Sequence, residues 1–359
     1  MTRQRIPVAF AATLLIAATV SAQCPGFPGC LYRPQSVDFR ETGGSVTYFD
    51  VAGQTRTVNI YIREPVSISG LLPVVVWSHG GAGGQFNSEG ALREWSIATA
   101  RAGYLTVSIA HSPRGIQERS NLCSAIGITS SSECEVFKYL NWDRPHDIRR
   151  VLDELVGKNA QGPLQGRIDL SRIAVGGHSA GSGGALSVAG AVRVFNRVLH
   201  SFPDVRPVAF IAFSPQGPTS EGFFDTDFGR PDTSWSPIEE PVLVGTGDGD
   251  SSCDPPGDCI PGSETPYGRR TAFNRMPGPG KYLFYVHDTD AYHGLWGLDS
   301  DCVAKGVSPS KCQAFKSWMT SAALAFLDAH VRQSNIAKTW LENGFIRTAS
   351  NNVVEWRQK

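Results

Sequence analysis

An excess of charge of either sign is missing from this 359-residue chain: Lys and Arg total 33, Asp and Glu total 33, and the formal net charge is +0 at pH 7. Without a basic excess little is available to neutralise a phosphate backbone, which argues against a dedicated nucleic-acid binder. Long apolar runs are equally scarce, and beyond Val20 none is long enough to span a bilayer. No internal repeat, no block of like charge and no Cys-x-x-Cys occurs. What is present is a composition that is 41% hydrophobic and 18% charged, ample for a large buried core. Glycine (38) and proline (23) are abundant but scattered, as in a loop-rich globular enzyme.

The N-terminus reads as an export signal. Arg3 and Arg5 form a basic start, Ile6 to Val20 is apolar apart from Thr13 and Thr19, and Val20-Ser21-Ala22 supplies small residues for cleavage after Ala22. Residues 1–22 are therefore expected to be a signal peptide and 23–359 a single catalytic domain, extracellular or periplasmic, with no stable membrane anchor. Gln23 before Cys24 is not small, so a lipoprotein is not expected. Eight cysteines fall into four close couples, Cys24/Cys30, Cys123/Cys134, Cys253/Cys259 and Cys302/Cys312. An even count in an exported chain predicts disulfides, with pairing inside each couple the expectation among many possible connectivities. No histidine joins these couples at ligand spacing, so a metal site is not expected.

Residues Val46–Phe49 and Thr55–Ile62 alternate as strands do. Leu71–Trp77, Tyr104–Ala110, Ile173–Val175, Val208–Phe213, Pro241–Val244 and Tyr282–Val286 are mostly continuous apolar runs, predicted to be strands buried on both faces. Between them, Ala91, Trp95, Ala98 and Ala102 share a helical face. Ile148, Val151, Leu152 and Leu155 share another, with Asp143 a possible N-cap and Pro145 in the first turn. Ala180 to Phe195 is helix-compatible, and Phe315 to Phe326 begins a long C-terminal helix. This alternation predicts an α/β fold with a mainly parallel sheet flanked by helices.

Three strand ends carry chemistry. Gly177-His178-Ser179-Ala180-Gly181 follows a short strand and opens a helical segment, the context in which a serine is lifted above the sheet and the next N–H faces an oxyanion. Val74–Ser78 runs into His79-Gly80-Gly81-Ala82-Gly83-Gly84, whose backbone N–H groups can approach a substrate oxygen; a phosphate loop would need a Lys-Ser/Thr that is absent. A serine nucleophile needs a base, and the base an orienting acid. Asp250 follows the strand Pro241–Val244 and is the preferred acid over Asp248. His293, on the loop after Tyr282–Val286, is the preferred base over His287. His79 and His178 read as structural. Asp248, Asp250, Asp254 and Asp258 lack the spacing of a calcium loop.

The order Ser179, Asp250, His293 together with the segments Pro73–Gly81 and Gly177–Gly181 resembles the secreted branch of the α/β-hydrolase superfamily. That branch includes dienelactone-hydrolase-like proteins, platelet-activating-factor acetylhydrolases, and cutinase-like or polyester-degrading lipases. The likeness spans roughly Val58 to Val331. It implies the α/β-hydrolase fold without a large cap domain, and oxyanion donors at Gly81 and Ala180. A dienelactone hydrolase proper is expected to use cysteine where this chain has Ser179.

The chain is therefore expected to be a monomeric serine hydrolase of small-molecule or polymeric carboxylic esters, using no metal or organic cofactor. Its rivals are a peptidase of the same fold and a non-catalytic hydrolase-fold binding protein. The short segment between Phe213 and Pro241 predicts an open site for short-chain esters or exposed polymer chains. Trp77 and Trp296 are placed either along that site or in the core.

Overall fold

Val74, Val75, Val76 and Trp77 are all buried, which a strand achieves only when both sheet faces are covered. In the computed structural model, residues 29–81, 90–128, 136–218, 233–251, 264–298 and 302–359 are described. The expected signal peptide, Ala82 to Gly84 of the glycine loop, Cys24, Cys134, Cys253, Cys259, Asp254 and Asp258 lie outside them.

The elements run β1 (Phe39–Phe49), β2 (Thr55–Pro65), β3 (Leu72–Ser78), α1 (Arg93–Arg101), β4 (Leu105–Ala110), α2 (Ile116–Ala125), α3 (Val136–Ala160) and β5 (Ile168–His178). There follow α4 (Ala180–Val188), the small hairpin β6 (Arg193–Phe195) and β7 (Val198–His200), β8 (Pro207–Phe213) and β9 (Val242–Gly247). Then come α5 (Pro266–Arg269), α6 (Thr271–Arg275), β10 (Lys281–Val286), a 3-10 helix (His293–Gly297), α7 (Pro309–His330), α8 (Asn335–Glu342), α9 (Phe345–Ala349) and β11 (Val354–Gln358).

Among the described residues, nine strands form one sheet in the order β1-β2-β4-β3-β5-β8-β9-β10-β11. From β4 to β10 the neighbours run parallel; β1, β2 and β11 add antiparallel pairings at the two edges. The two-residue side-chain period divides the core. Val75, Trp77, Ile211, Phe213 and Leu243 pack towards α1 and α7, whereas Val74, Val76, Val175, Phe210 and Val244 pack towards α3 and α4. Fully burying each such aliphatic or aromatic side chain is worth about 1.5–3 kcal/mol, so the sheet is a rigid platform for what its loops carry.

Two expectations need correction, and one open alternative is decided. The helix expected to start at Asp143 begins at Val136 and continues through Pro145. Asp143 cannot serve as its cap, because its carboxylate is committed to Arg114 and Arg56 in a buried ion cluster. The helix after Ser179 ends at Val188 rather than reaching Phe195, which sits in the β6–β7 hairpin. Trp77 and Trp296, open between site and core from the sequence, lie in the core. Both are 0% exposed; Trp77 stacks on Trp95, and Trp296 packs against Phe213 and Phe284.

Candidate active site

Ser179 sits between the end of β5 and the start of α4 with φ 54° and ψ −123°, a conformation that L-residues rarely adopt. The turn is held from both sides. Ser179 N–H donates to Phe213 O at 2.9 Å, and Ser179 O accepts from Ser182 and Gly183 N–H. Gly181 is required by close approach: a Cβ there would lie 1.9 Å from the Ser78 carbonyl oxygen. The sharp turn and that tight contact lift the Ser179 side chain out of the sheet.

His293 opens the 3-10 helix that follows β10, and Asp250 lies just past the end of β9. Both loops, like Ser179, leave the C-terminal ends of parallel strands, the usual place for a site in such a sheet. His293 Nε2 is 3.0 Å from Ser179 Oγ, and its Nδ1 is 2.9 Å from Asp250 Oδ1. With Asp250 ionised, Nδ1 carries the proton and Nε2 is left to accept from the serine hydroxyl. The Asp and His loops touch: a Cβ on Gly249 would meet the Thr289 carbonyl oxygen at 2.0 Å.

Asp250 is 0% exposed. Burial pushes its pKa up, but the Arg269 guanidinium, the His293 hydrogen bond and the Ser214 hydroxyl outweigh it and hold the carboxyl at about 2. Ser214 Oγ (2.5 Å) and Thr246 Oγ1 (2.8 Å) donate to Oδ2, while Arg269 Nε lies 3.1 Å from Oδ1 and 3.0 Å from the Asp250 carbonyl oxygen. The rivals are placed elsewhere. Asp248 accepts from Tyr285 Oη, and His287, 48% exposed, faces Asp248 at 3.5 Å and Glu355 at 3.0 Å. These two pair with each other on the surface, away from Ser179.

Three supports hold this array. Of their residues, His178 and His79 are structural, as expected from the sequence, whereas Arg269, His111 and Arg144 carry no local sequence signal. His178 donates from Nε2 to the His293 carbonyl oxygen at 3.0 Å, and the two rings lie 4.8 Å apart. Burial, helped by the neighbouring His293, lowers the His178 pKa to about 3, so it is a neutral strut. Arg269 is the second. The third is the network behind the glycine loop. His79 Nε2 accepts from His111 N–H at 3.1 Å, which leaves Nδ1 to donate to Gly80 O at 2.6 Å. A trans peptide sets C=O and N–H in opposite directions, so this bond turns the Gly81 N–H away from His79. Gly80 itself abuts the candidate nucleophile: a Cβ there would lie 2.7 Å from Ser179 Cβ. Arg144 Nη2 donates to Gly81 O at 2.8 Å. Ala180 N–H, the first of α4, has no intrahelical acceptor by helix geometry.

A second Ser-His-Asp arrangement exists. Ser78 Oγ lies 2.8 Å from His111 Nε2, and His111 Nδ1 lies 2.7 Å from Asp147 Oδ2, which Arg56 and Tyr48 also contact. Ser78 is 0% exposed, so no substrate reaches it, and this array braces the fold. Burial keeps His111 neutral, with its pKa near 3.

Cys302 and Cys312 are joined, with Cα atoms 5.9 Å apart, closing the segment between the 3-10 helix of His293 and α7. Cys30 and Cys123 are also disulfide-bonded. Among the described residues no group of three or more His, Cys, Asp or Glu is arranged to hold a metal ion, and no helix is long and apolar enough to cross a membrane. No model of a known protein family matches the chain, and no curated protein matches it either.

Proposed function

We propose that this protein is an exported serine hydrolase of the α/β-hydrolase fold that cleaves carboxylic esters through an acyl-enzyme. The observation that carries the reading is the continuous relay from Ser179 Oγ through His293 to Asp250, at 3.0 and 2.9 Å, on a serine held at positive φ. The strand order, with its crossover at β4-β3 and the nucleophile after β5, supports the same fold assignment. Disulfides at Cys30, Cys123 and Cys302–Cys312 support an oxidising compartment.

In the reaction His293 Nε2 takes the Ser179 proton as Oγ attacks the ester carbonyl carbon. Asp250 fixes the tautomer and stabilises the imidazolium that forms. Gly81 and Ala180 N–H groups receive the tetrahedral oxyanion. His293 then returns the proton to the leaving alcohol, and a water activated by the same imidazole releases the acid. Short-chain esters or exposed polyester chains are the proposed substrates.

The test is hydrolysis of p-nitrophenyl acetate and labelling by a fluorophosphonate, each with wild type and Ser179→Ala. Loss of several orders of magnitude in rate and of all labelling is expected for the variant. Turnover by Ser179→Ala near the wild-type rate would overturn the proposal. A peptide substrate assayed in parallel separates an esterase from a peptidase.

A further inference from the structure

We propose that Arg144 is a positioning residue for the oxyanion-binding loop, acting on Gly81 from inside the fold; this rests on the ester-hydrolase reading of Ser179. Arg144 belongs to α3 and is 2% exposed. Its stem lies against the helix that follows the nucleophile, since a Cβ on Gly184 would meet Arg144 Cβ at 2.6 Å. From there Nη2 reaches the Gly81 carbonyl oxygen at 2.8 Å.

Gly81 has φ +73° and no side chain to restrain it. The peptide plane before it is pinned by His79 through Gly80 O, and the plane after it by Arg144 through Gly81 O. The two rotatable dihedrals of Gly81 lie between these planes, so the pair of donors fixes both. Releasing either donor frees the N–H that must meet the oxyanion, whose stabilisation depends on donors already in place before reaction.

The rest of the guanidinium is poorly served. Among the described residues, Nε and Nη1 of Arg144 are buried without a hydrogen-bond partner. The neighbouring acids are committed elsewhere: Asp147 to Arg56, His111 and Tyr48, and Asp143 to Arg114 and Arg56. Burial lowers the Arg144 pKa to about 10. A buried cation with unmade hydrogen bonds costs folding energy that an apolar side chain of similar volume would not. For stability alone the position is badly filled. It is well filled for a reaction that develops negative charge on the other side of the Gly81 backbone.

The experiment compares full-length wild type, Arg144→Met and Arg144→Lys in p-nitrophenyl acetate kinetics, inhibition by a boronic acid that forms a tetrahedral adduct at serine, and thermal melting. Arg144→Met is expected to lower kcat about 10–100-fold with KM within about twofold, to weaken boronate binding by a similar factor, and to leave Tm unchanged or raised. Arg144→Lys, which keeps a donor and the charge, is expected to recover part of kcat. Wild-type kcat in Arg144→Met overturns the proposal. So does a joint loss of kcat and Tm in both variants, or an unfolded Arg144→Met beside a lysine variant with wild-type kcat and boronate affinity. A wild type that neither hydrolyses the ester nor reacts with a fluorophosphonate overturns the reading of Ser179 itself, and this one with it.

Discussion

Arg269 and Asp250 are both fully buried, and the guanidinium Nε lies 3.1 Å from the same carboxylate oxygen that His293 Nδ1 faces at 2.9 Å. Arg269 also donates to the carbonyl oxygens of Asp250 and Ser214, so one side chain ties the acid to the end of the neighbouring strand β8. The pair differs from Arg144, because here the buried carboxylate has its counter-charge in contact.

Arg269→Met is therefore expected to destabilise the fold by on the order of 3 kcal/mol, since it strands the Asp250 charge. Adding Asp250→Asn to that variant is expected to return part of the loss, as the stranded charge disappears. Urea unfolding of the two single variants and the double variant measures the coupling. Additive effects would mean that the pair does not interact.

Ser179 stores backbone strain for its position. Replacing it by glycine, which tolerates positive φ, is expected to raise stability by about 1 kcal/mol over Ser179→Ala while both remain inactive. Chemical denaturation of the two variants checks this, and equal stability would show that the turn is unstrained.

Stability is expected to fall as pH drops from 6.5 to about 4. Burial lowers the pKa values of His111 and His178 to about 3, of His330 to about 4, and of His79 well below 6.5. In that window the unfolded chain binds protons that the folded one refuses, so stability rises with pH, by roughly 1.4 kcal/mol per unit for each histidine. Asp250, held near 2, contributes stability above the usual carboxylate range that is lost only as pH falls from 3.8 through about 2, below this window. Calorimetric Tm across pH 4–8 is the measurement; a Tm flat down to pH 4 contradicts the assignment.

Cys302–Cys312 closes a loop directly downstream of His293. Lys311, beside Cys312, is 2.8 Å from Asp288 and 2.6 Å from Asp290, on the stretch leading into His293. The bridge removes about 2–3 kcal/mol of unfolded-chain entropy in the simple loop model. Its local effect is expected to be larger: Cys302→Ala with Cys312→Ala lowers activity at temperatures where the fold persists, because His293 loses alignment first. Activity and far-UV circular dichroism followed together on heating test this. Loss of both in one coincident transition would show that the bridge serves only global stability.

The amino-acid sequence by itself determined the elements whose signal is local. Runs such as Val74–Trp77 and Phe210–Phe213 can be buried on both faces only inside a covered sheet, and a serine flanked by glycines between strand and helix needs no distant partner to make its turn. Helix boundaries were less legible: Pro145 marks a start only if nothing else holds the preceding turns, and here buried ion pairs at Asp143 do. Only the tertiary structure shows that Asp250 faces His293 while Asp248, two residues away on the same loop, faces His287. Which carboxylate turns inward depends on Arg269, Ser214 and Thr246, the first two on other elements. It alone placed Trp77 and Trp296 in the core, and it alone brought Arg144, His178 and His111 behind the site. Those residues act through contacts between chain segments far apart in sequence, and no local periodicity or motif encodes such contacts.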